Sequence, residues 1–444
     1  MKTTITITEY ERLIADKNET REKNTYGYTS VPENVFEALK TMIQTDSDKS
    51  DQMLDFLQFS YKKGVGEVIT ARNYVGLIMT NGGTNIEILP KIANNQNESD
   101  VKELLVKMLK TLKNSPFKTM QAANVNTEKM PLLEAFIRMF INEVSALVKH
   151  GLKCGYQTVQ ENSMTFKGKL KVAEHIQLNS VHKERSYVEF DSFELNRPEN
   201  RLIKSTTKLL YQLTGNLRNK ADLNSILFAF ADVELSTDYE ADFQKVTIDR
   251  NMSGYDVVLQ WCSVFLKKKS FTSFTGKQIA LAILFPMETL FESYIATILR
   301  KHCPEKYTVK VQDRQYYLFD TPQRFRLRPD IVLENQSEKS RIVMDTKWKK
   351  LSADMTNWGI SQADMYQMYV YHKKYTQKEY NVPKVVLIYP LTDKVSEKSI
   401  PVFQADDGVI VEVLFVDLLS QKSDIILSNY IWSFITMNDT TVLQ

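Results

Sequence analysis

Between Arg328 and Trp348 the chain reads RPDIVLENQSEKSRIVMDTKW, which sets Asp330 on one apolar run and Asp345 with Lys347 on the next. Two acids and a lysine brought together are the groups that metal-dependent phosphodiester hydrolysis uses. FRLRPDIVLE and RIVMDTKWK are rich in Val, Ile and Leu and flank the polar stretch NQSEKS, so the pattern predicts two strands joined as a hairpin. Successive strand side chains face opposite ways, so Val343, Asp345 and Lys347 share one face, and Ile342, Met344, Thr346 and Trp348 the other. Pairing Glu334 with Arg341 across the turn puts Asp330 directly opposite Asp345. Opposed Cβ atoms lie roughly 4.5–5.5 Å apart, and like charges there repel unless a cation sits between them. Mg²⁺ takes oxygen ligands and keeps waters, so Asp330, Asp345, the Thr346 carbonyl and a phosphate oxygen make a sensible shell. Lys347 then holds or deprotonates the attacking water, or neutralises charge developing on the scissile phosphate.

A solvated strand edge also places Asp and Lys two residues apart. Against that reading, the strand bearing Asp345 is apolar enough to be internal, where charges are seldom left without partners. A helix is predicted next, over SQADMYQMYVYHKKY, capped at Ser361 with Asp364 three residues on. Asp364, Gln367, Tyr371 and Lys374 fall on one of its faces at steps of three and four.

Pro329 with Asp330, then Asp345, Thr346 and Lys347, then Gln367 and Tyr371 as a QxxxY helix, resemble the PD-(D/E)xK nuclease superfamily. That pattern often includes an upstream helical acid, for which FPMETLFESYIATIL offers Glu288 and Glu292; Glu292, inside the more apolar run, is preferred. RNYVGLIM at 72–79, NGGT, NIEILPKI at 85–92, FELNRPENRLIKSTTKLL at 193–210, LFESYIA, LRPDIVL, DTKWK and the Tyr-rich helix together resemble the McrC family, the nuclease subunits of modification-dependent restriction systems. The resemblance implies catalytic roles for Asp330, Asp345, Lys347, Gln367 and Tyr371, and a Mg²⁺ site of Asp330, Asp345, Thr346 and Glu292. It also implies double-stranded DNA with modified bases as substrate and a hexameric McrB-like AAA+ GTPase as partner, which holds the GTP and is stimulated by this chain. Two other readings are an adaptor that has lost cleavage and only stimulates the motor, and a stand-alone RecB-like exonuclease. The complete acid-acid-lysine set speaks against the first, the lack of helicase motifs against the second.

With 444 residues, 43% hydrophobic and 25% charged, the chain has ordinary globular composition and enough length for more than one core. The expected fold is α+β and multidomain: a β-rich N-terminal domain with helices over 1–152 that docks the partner, connecting strands and helices over 153–280, and a C-terminal α/β nuclease domain with a mixed sheet over 281–444. GEVITARNYVGLIMT and NGGTNIEILP predict a hairpin turning at Asn81 and Gly82, with positive φ supplied by Asn81 and the glycines. VKELLVKMLKTLK and MPLLEAFIRMFINEVSALVKHGL carry helical spacing, further helices are expected over 220–300, and VPKVVLIYPL and GVIVEVLFVDL read as buried strands.

Cys154, Cys262 and Cys303 form no CxxC pair, so neither a disulfide framework nor a zinc cluster is suggested, and a reducing cytoplasm fits. No apolar leader or membrane-length run is seen. The net charge of +3 is too small to establish nucleic-acid binding, and the LKKKS run near 266 and HKKY at 372 read as solvated faces. The five histidines lack ligand spacing, and no GxxxxGK[ST] loop occurs, the GKQ at 276 being isolated. GTP is therefore expected on another chain.

Overall fold

The computed structural model describes residues 3–16, 27–46, 56–92, 97–113, 115–119, 130–246, 254–266, 279–377, 379–392, 402–419 and 424–437. Among them are eleven α-helices and five sheets. No helix among the described residues is long and apolar enough to cross a membrane. Most of the LKKKS run and the GKQ at 276 lie outside the described residues.

By contact the chain divides into two compact units, Met1–Leu132 together with Phe274–Gln444, and Leu133–Ser273. The first unit therefore joins the two ends of the sequence, in place of a separate N-terminal body over 1–152 and a C-terminal one over 281–444. The physical reason is one strand. Ile279–Pro286 pairs antiparallel with Tyr74–Thr80, completing a four-stranded sheet with Thr4–Thr8 and Asn85–Leu89. Helices were expected over this stretch, but IALAILFP is apolar throughout, and periodicity cannot tell a buried strand from a buried helix. Ala282 and Leu284 enter the same core as Ile7, Ile78, Ile86 and Ile88, together with Val35, Phe36 and Leu39 of the helix Glu33–Asp46. The expected hairpin is present, with Gly83 N–H donating to the Thr80 carbonyl at 2.9 Å. Only Gly83 of the NGG turn takes positive φ, at 82°.

The same unit holds a six-stranded mixed sheet, ordered Tyr307–Val311, Ile331–Asn335, Ser340–Thr346, Val385–Pro390, Ile410–Val416 and Phe403–Gln404. Ile331–Asn335 and Ser340–Thr346 form the predicted hairpin, with Glu334 opposite Arg341 and Ile331 opposite Met344. Ser340–Thr346 then runs parallel to Val385–Pro390, and a parallel return needs a crossover, here the helix Gln362–Tyr375. Ser361 caps that helix as expected, accepting from Asp364 N–H at 3.2 Å. Met368, Tyr371 and Tyr375 turn inward against Val343, Val385 and Leu387.

In the second unit the helix Leu132–His150 carries Phe136 and Phe140, whose rings meet Trp261 and Phe265 of Tyr255–Leu266. Glu134 accepts from Thr214 Oγ1, Gly215 N–H and Asn219 Nδ2, each at 2.7 Å, and so joins the end of Pro198–Leu213 to the start of Leu217–Ala229. The short strand Lys169–Leu170 lies beside Ser186–Glu194, which pairs on its other side with Gly155–Ser163.

Gly76 explains why glycine stands in the YVGLIM strand. Its φ is +136°, and a Cβ there would meet the Ile283 carbonyl oxygen at 2.1 Å. The obstacle is backbone, so it cannot rotate away. Gly76→Ala is expected to cost roughly 2–4 kcal/mol, read as a lower urea midpoint with unchanged slope.

Candidate active site

The observed register, continued by one residue, sets Asp330 opposite Asp345 as the sequence predicts. Asp330 Oδ2 accepts from both the N–H and the hydroxyl of Thr346, each at 2.7 Å, which ties the first acid to the end of the second strand. Continued once more, the register puts Pro329 opposite Thr346. Proline has no N–H, so it cannot close a rung on the Thr346 carbonyl. Asp345 is 2% exposed, and Lys347 Nζ lies 2.6 Å from its Oδ2.

The crossover helix closes the site. Lys347 Nζ donates to Gln367 Oε1 at 3.0 Å, and Gln367 Nε2 donates in turn to Tyr371 Oη at 2.7 Å. The three residues thus form one chain running from strand to helix. Lys374, expected on the same face, instead pairs with Asp320 at 2.8 Å. Glu292, on the helix Met287–Lys301, reaches the cleft and accepts from Gln312 Nε2 at 2.7 Å, while the more exposed Glu288 lines the same cleft one turn earlier. The cleft holds about 310 Å³ and is lined further by Thr289, Arg328, Trp348, Lys349 and Asp364.

Electrostatics follow from this crowding. Burial, then the charge of Asp330, push Asp345 up to about 7 against the pull of Lys347. Burial also raises Asp330, opposed by its two bonds from Thr346. Glu292 is raised by burial and by Asp330. Burial disfavours the Lys347 charge, but Asp345, Asp364 and Asp330 outweigh it and hold the ammonium above its ordinary value. Two buried acids set side by side, the charge of one raising the other, suit a divalent cation. Among the described residues no group of three or more His, Cys, Asp or Glu side chains is set to hold a metal by itself. Asp330, Asp345 and the Thr346 carbonyl are oxygen donors of the kind taken by an ion such as Mg²⁺, which keeps several of its waters.

Several residues here escaped the sequence reading as site members. Asp364, placed by the sequence at the helix start and on the face of Gln367 and Tyr371 but not among the site residues, lies 3.7 Å from Lys347 and 2.7 Å from Lys349. Burial would raise it, but Lys349 and Ser361 hold it below the usual carboxylate range. Its place at step three before Gln367 was the available signal, as was the two-residue step from Lys347 to Lys349. Gln312 carried no signal at all. It bridges Glu292 and Arg328 from a backbone position with φ of 49°. Nor did Glu9, which is fully buried and accepts from Trp348 Nε1 at 3.0 Å and from Lys91 N–H at 3.1 Å. The Trp348 ring also packs on Phe291, 5.3 Å between centroids.

The profile of the McrBC 5-methylcytosine restriction system component family matches residues 69–390, a span that holds both the Tyr74–Thr80 strand and the cleft. The chain belongs to that family. Among solved structures it is similar to a chain of the refined half-complex from a tetradecameric assembly of Thermococcus gammatolerans McrB AAA+ hexamers with bound McrC. That match has a TM-score of 0.68 and 17% identity, covering 97% of this chain and 100% of that one. A second similar chain comes from the cryo-EM structure of the Thermococcus gammatolerans McrBC complex, at TM-score 0.48 and 19% identity over 68% of this chain and 89% of that one. No curated protein matches the sequence.

Burial pushes Glu9 from the ordinary 4.5 to about 8, opposed by its bonds from Lys91 and Trp348. A raised carboxyl favours the fold while protonated, so this contribution is complete below about pH 4.5 and is lost as pH climbs through about 8. Glu9→Gln keeps the neutral form throughout. It is expected to flatten the fall in stability over this window by up to about 5 kcal/mol, measured by urea unfolding at each end.

Proposed function

We propose that this chain is the endonuclease subunit of an McrBC-like restriction complex, with a PD-(D/E)xK site in its mixed-sheet half that hydrolyses double-stranded DNA with Mg²⁺. The observation that carries the reading is the convergence of Asp330, Asp345 and Lys347 in one cleft, with Gln367 and Tyr371 lined up behind the lysine. A polar cleft that sets two buried carboxylates beside a fully charged lysine is of little use for packing, and suits a phosphate diester.

Asp330, Asp345, the Thr346 carbonyl and Glu292 would be the groups that hold Mg²⁺. Bound there, the ion supplies charge neutralisation at the scissile phosphate and a more acidic water. Lys347 cannot swing freely, because Gln367 and Asp345 hold its ammonium from two sides. It is therefore kept charged and aimed, ready to donate to the attacking water or to the phosphate oxygens as charge develops. Tyr371 fixes the orientation of the Gln367 amide, whose oxygen must face the lysine.

The partner in this reading is an McrB-like AAA+ GTPase hexamer, supported by the family and by the fold shared with a chain solved among McrB hexamers with bound McrC. GTP would sit on the partner, since the chain carries no GxxxxGK[ST] loop. The modified base would be recognised outside this chain, and the complex would work in the cytoplasm.

Asp345→Asn and Asp330→Asn are each expected to abolish Mg²⁺-dependent cleavage of methylated plasmid while leaving stimulation of the partner's GTP turnover intact. Nicking and GTPase assays on the assembled complex test this, and undiminished cleavage by either variant refutes the site. Lys347→Ala is expected to lower the single-turnover rate by roughly 10²–10³, the scale of losing one preorganised charge, with Mg²⁺ affinity by calorimetry little changed.

A further inference from the structure

The cleft is poorly equipped to attract DNA by itself. Its lining has five carboxylates, Glu288, Glu292, Asp330, Asp345 and Asp364, against three cations. Two of those cations, Lys347 and Lys349, are already engaged by Asp345 and Asp364. A bound divalent ion would do no more than cancel the excess, so attraction for a polyanion has to come from beside the cleft.

We propose that the exposed hairpin formed by Tyr317–Asp320 and Gln323–Arg326 is a backbone clamp for duplex DNA, gripping phosphates next to the one that is cut. The proposal rests on the nuclease reading and deepens it. Among the described residues these two strands pair only with each other, and every residue of the second is exposed. Tyr317 lies opposite Arg326 and Phe319 opposite Arg324, so each arginine has an aromatic residue across from it. The Arg326 guanidinium sits over the Tyr317 ring, 4.8 Å from its centroid, and donates to its hydroxyl. That stacking holds the planar fork in one orientation, which lowers the entropy lost on meeting a phosphate.

Charge on this segment is lopsided in the right direction. Gln312 to Arg328 carries four arginines, at 314, 324, 326 and 328, and two aspartates. Both aspartates are occupied: Asp313 accepts from Tyr375 Oη at 2.7 Å, and Asp320 pairs with Lys374 at 2.8 Å. Those same contacts join this segment to the crossover helix that carries Gln367 and Tyr371. Arg326 is two residues from Arg328 at the cleft, a reach of at most about 7 Å between Cα atoms. Phosphates adjacent to a scissile one fall at that range, and arginine forks match their oxygens bidentately. An acidic protein surface would also attract arginines, but it would not need them beside the hydrolytic cleft.

The test is fluorescence anisotropy of a labelled duplex titrated with the full chain in Ca²⁺, across a salt series, comparing wild type with Arg324→Ala/Arg326→Ala and Arg324→Lys/Arg326→Lys. The alanine pair is expected to weaken binding by roughly tenfold or more at low salt and to flatten the log-log salt slope by about 1–2, the loss of two phosphate contacts. The lysine pair keeps the slope. Both pairs are exposed, and circular dichroism melts check that the fold is retained. No duplex binding by wild type at low salt, or unchanged affinity and slope in the alanine pair, overturns the clamp. So does a loss confined to binding of the AAA+ partner, which would make the hairpin a protein contact. Cleavage by Asp345→Asn reports separately on the nuclease reading, since a clamp can fail while that variant is dead, and the reverse.

Discussion

Asp330 and Asp345 are held opposite one another where neither is well solvated, and the rest of the cleft is arranged around neutralising them. Two like charges 4–5 Å apart repel by about 3–4 kcal/mol at an effective dielectric near 20, before the cost of burial is added. A fold does not keep such a pair by accident. The register that opposes them is held by Glu334 and Arg341, themselves buried and paired at 3.4 Å, and by an apolar ladder of Ile, Val and Leu on both strands. Lys347 answers the charge on one side. Its own position depends on Gln367, which depends on Tyr371, which is packed in the core under the sheet.

This dependence explains why the site helix is tied down at its start. Ser361 caps it, and Asp364 in its first turn is gripped by Lys349 and approached by Lys347. Lys349 and Ser361 hold its carboxyl low against burial, so Asp364 stays ionised where Asp345 does not stay so easily. Two carboxylates of one cleft are thus pushed in opposite directions by their surroundings. Asp364 works as a permanent counter-charge for the lysines, and Asp345 is the acid whose charge a cation would complete.

The link from the N-terminal strands to the cleft runs through a few contacts. Ile279–Pro286 completes the first sheet and continues directly into Met287–Lys301, the helix that brings Glu288 and Glu292 to the site. Glu9 then fixes Trp348, the residue right after Lys347. The family span of 69–390 matches this architecture, because it takes in the Tyr74–Thr80 strand that Ile279–Pro286 needs as its partner. A cut at residue 152 or 280 would separate strands that share one sheet.

What the sequence determined by itself was whatever depends on neighbours along the chain. The alternation in RIVMDTKWK, the polar turn NQSEKS, the opposed signs of Glu334 and Arg341, and the three-and-four spacing from Ser361 through Tyr371 were enough to set the hairpin, its register, the capped helix and hence Asp330, Asp345, Lys347, Gln367 and Tyr371. Only the tertiary structure decided which distant segments complete the site. Trp348 finds Glu9 across 339 positions, Gln312 is brought between Glu292 and Arg328, and a uniformly apolar run becomes a strand because an open sheet edge stood ready for it. Local periodicity holds no record of such contacts, since burial and packing against a remote surface select them and nothing in the spacing of the residues changes when they form.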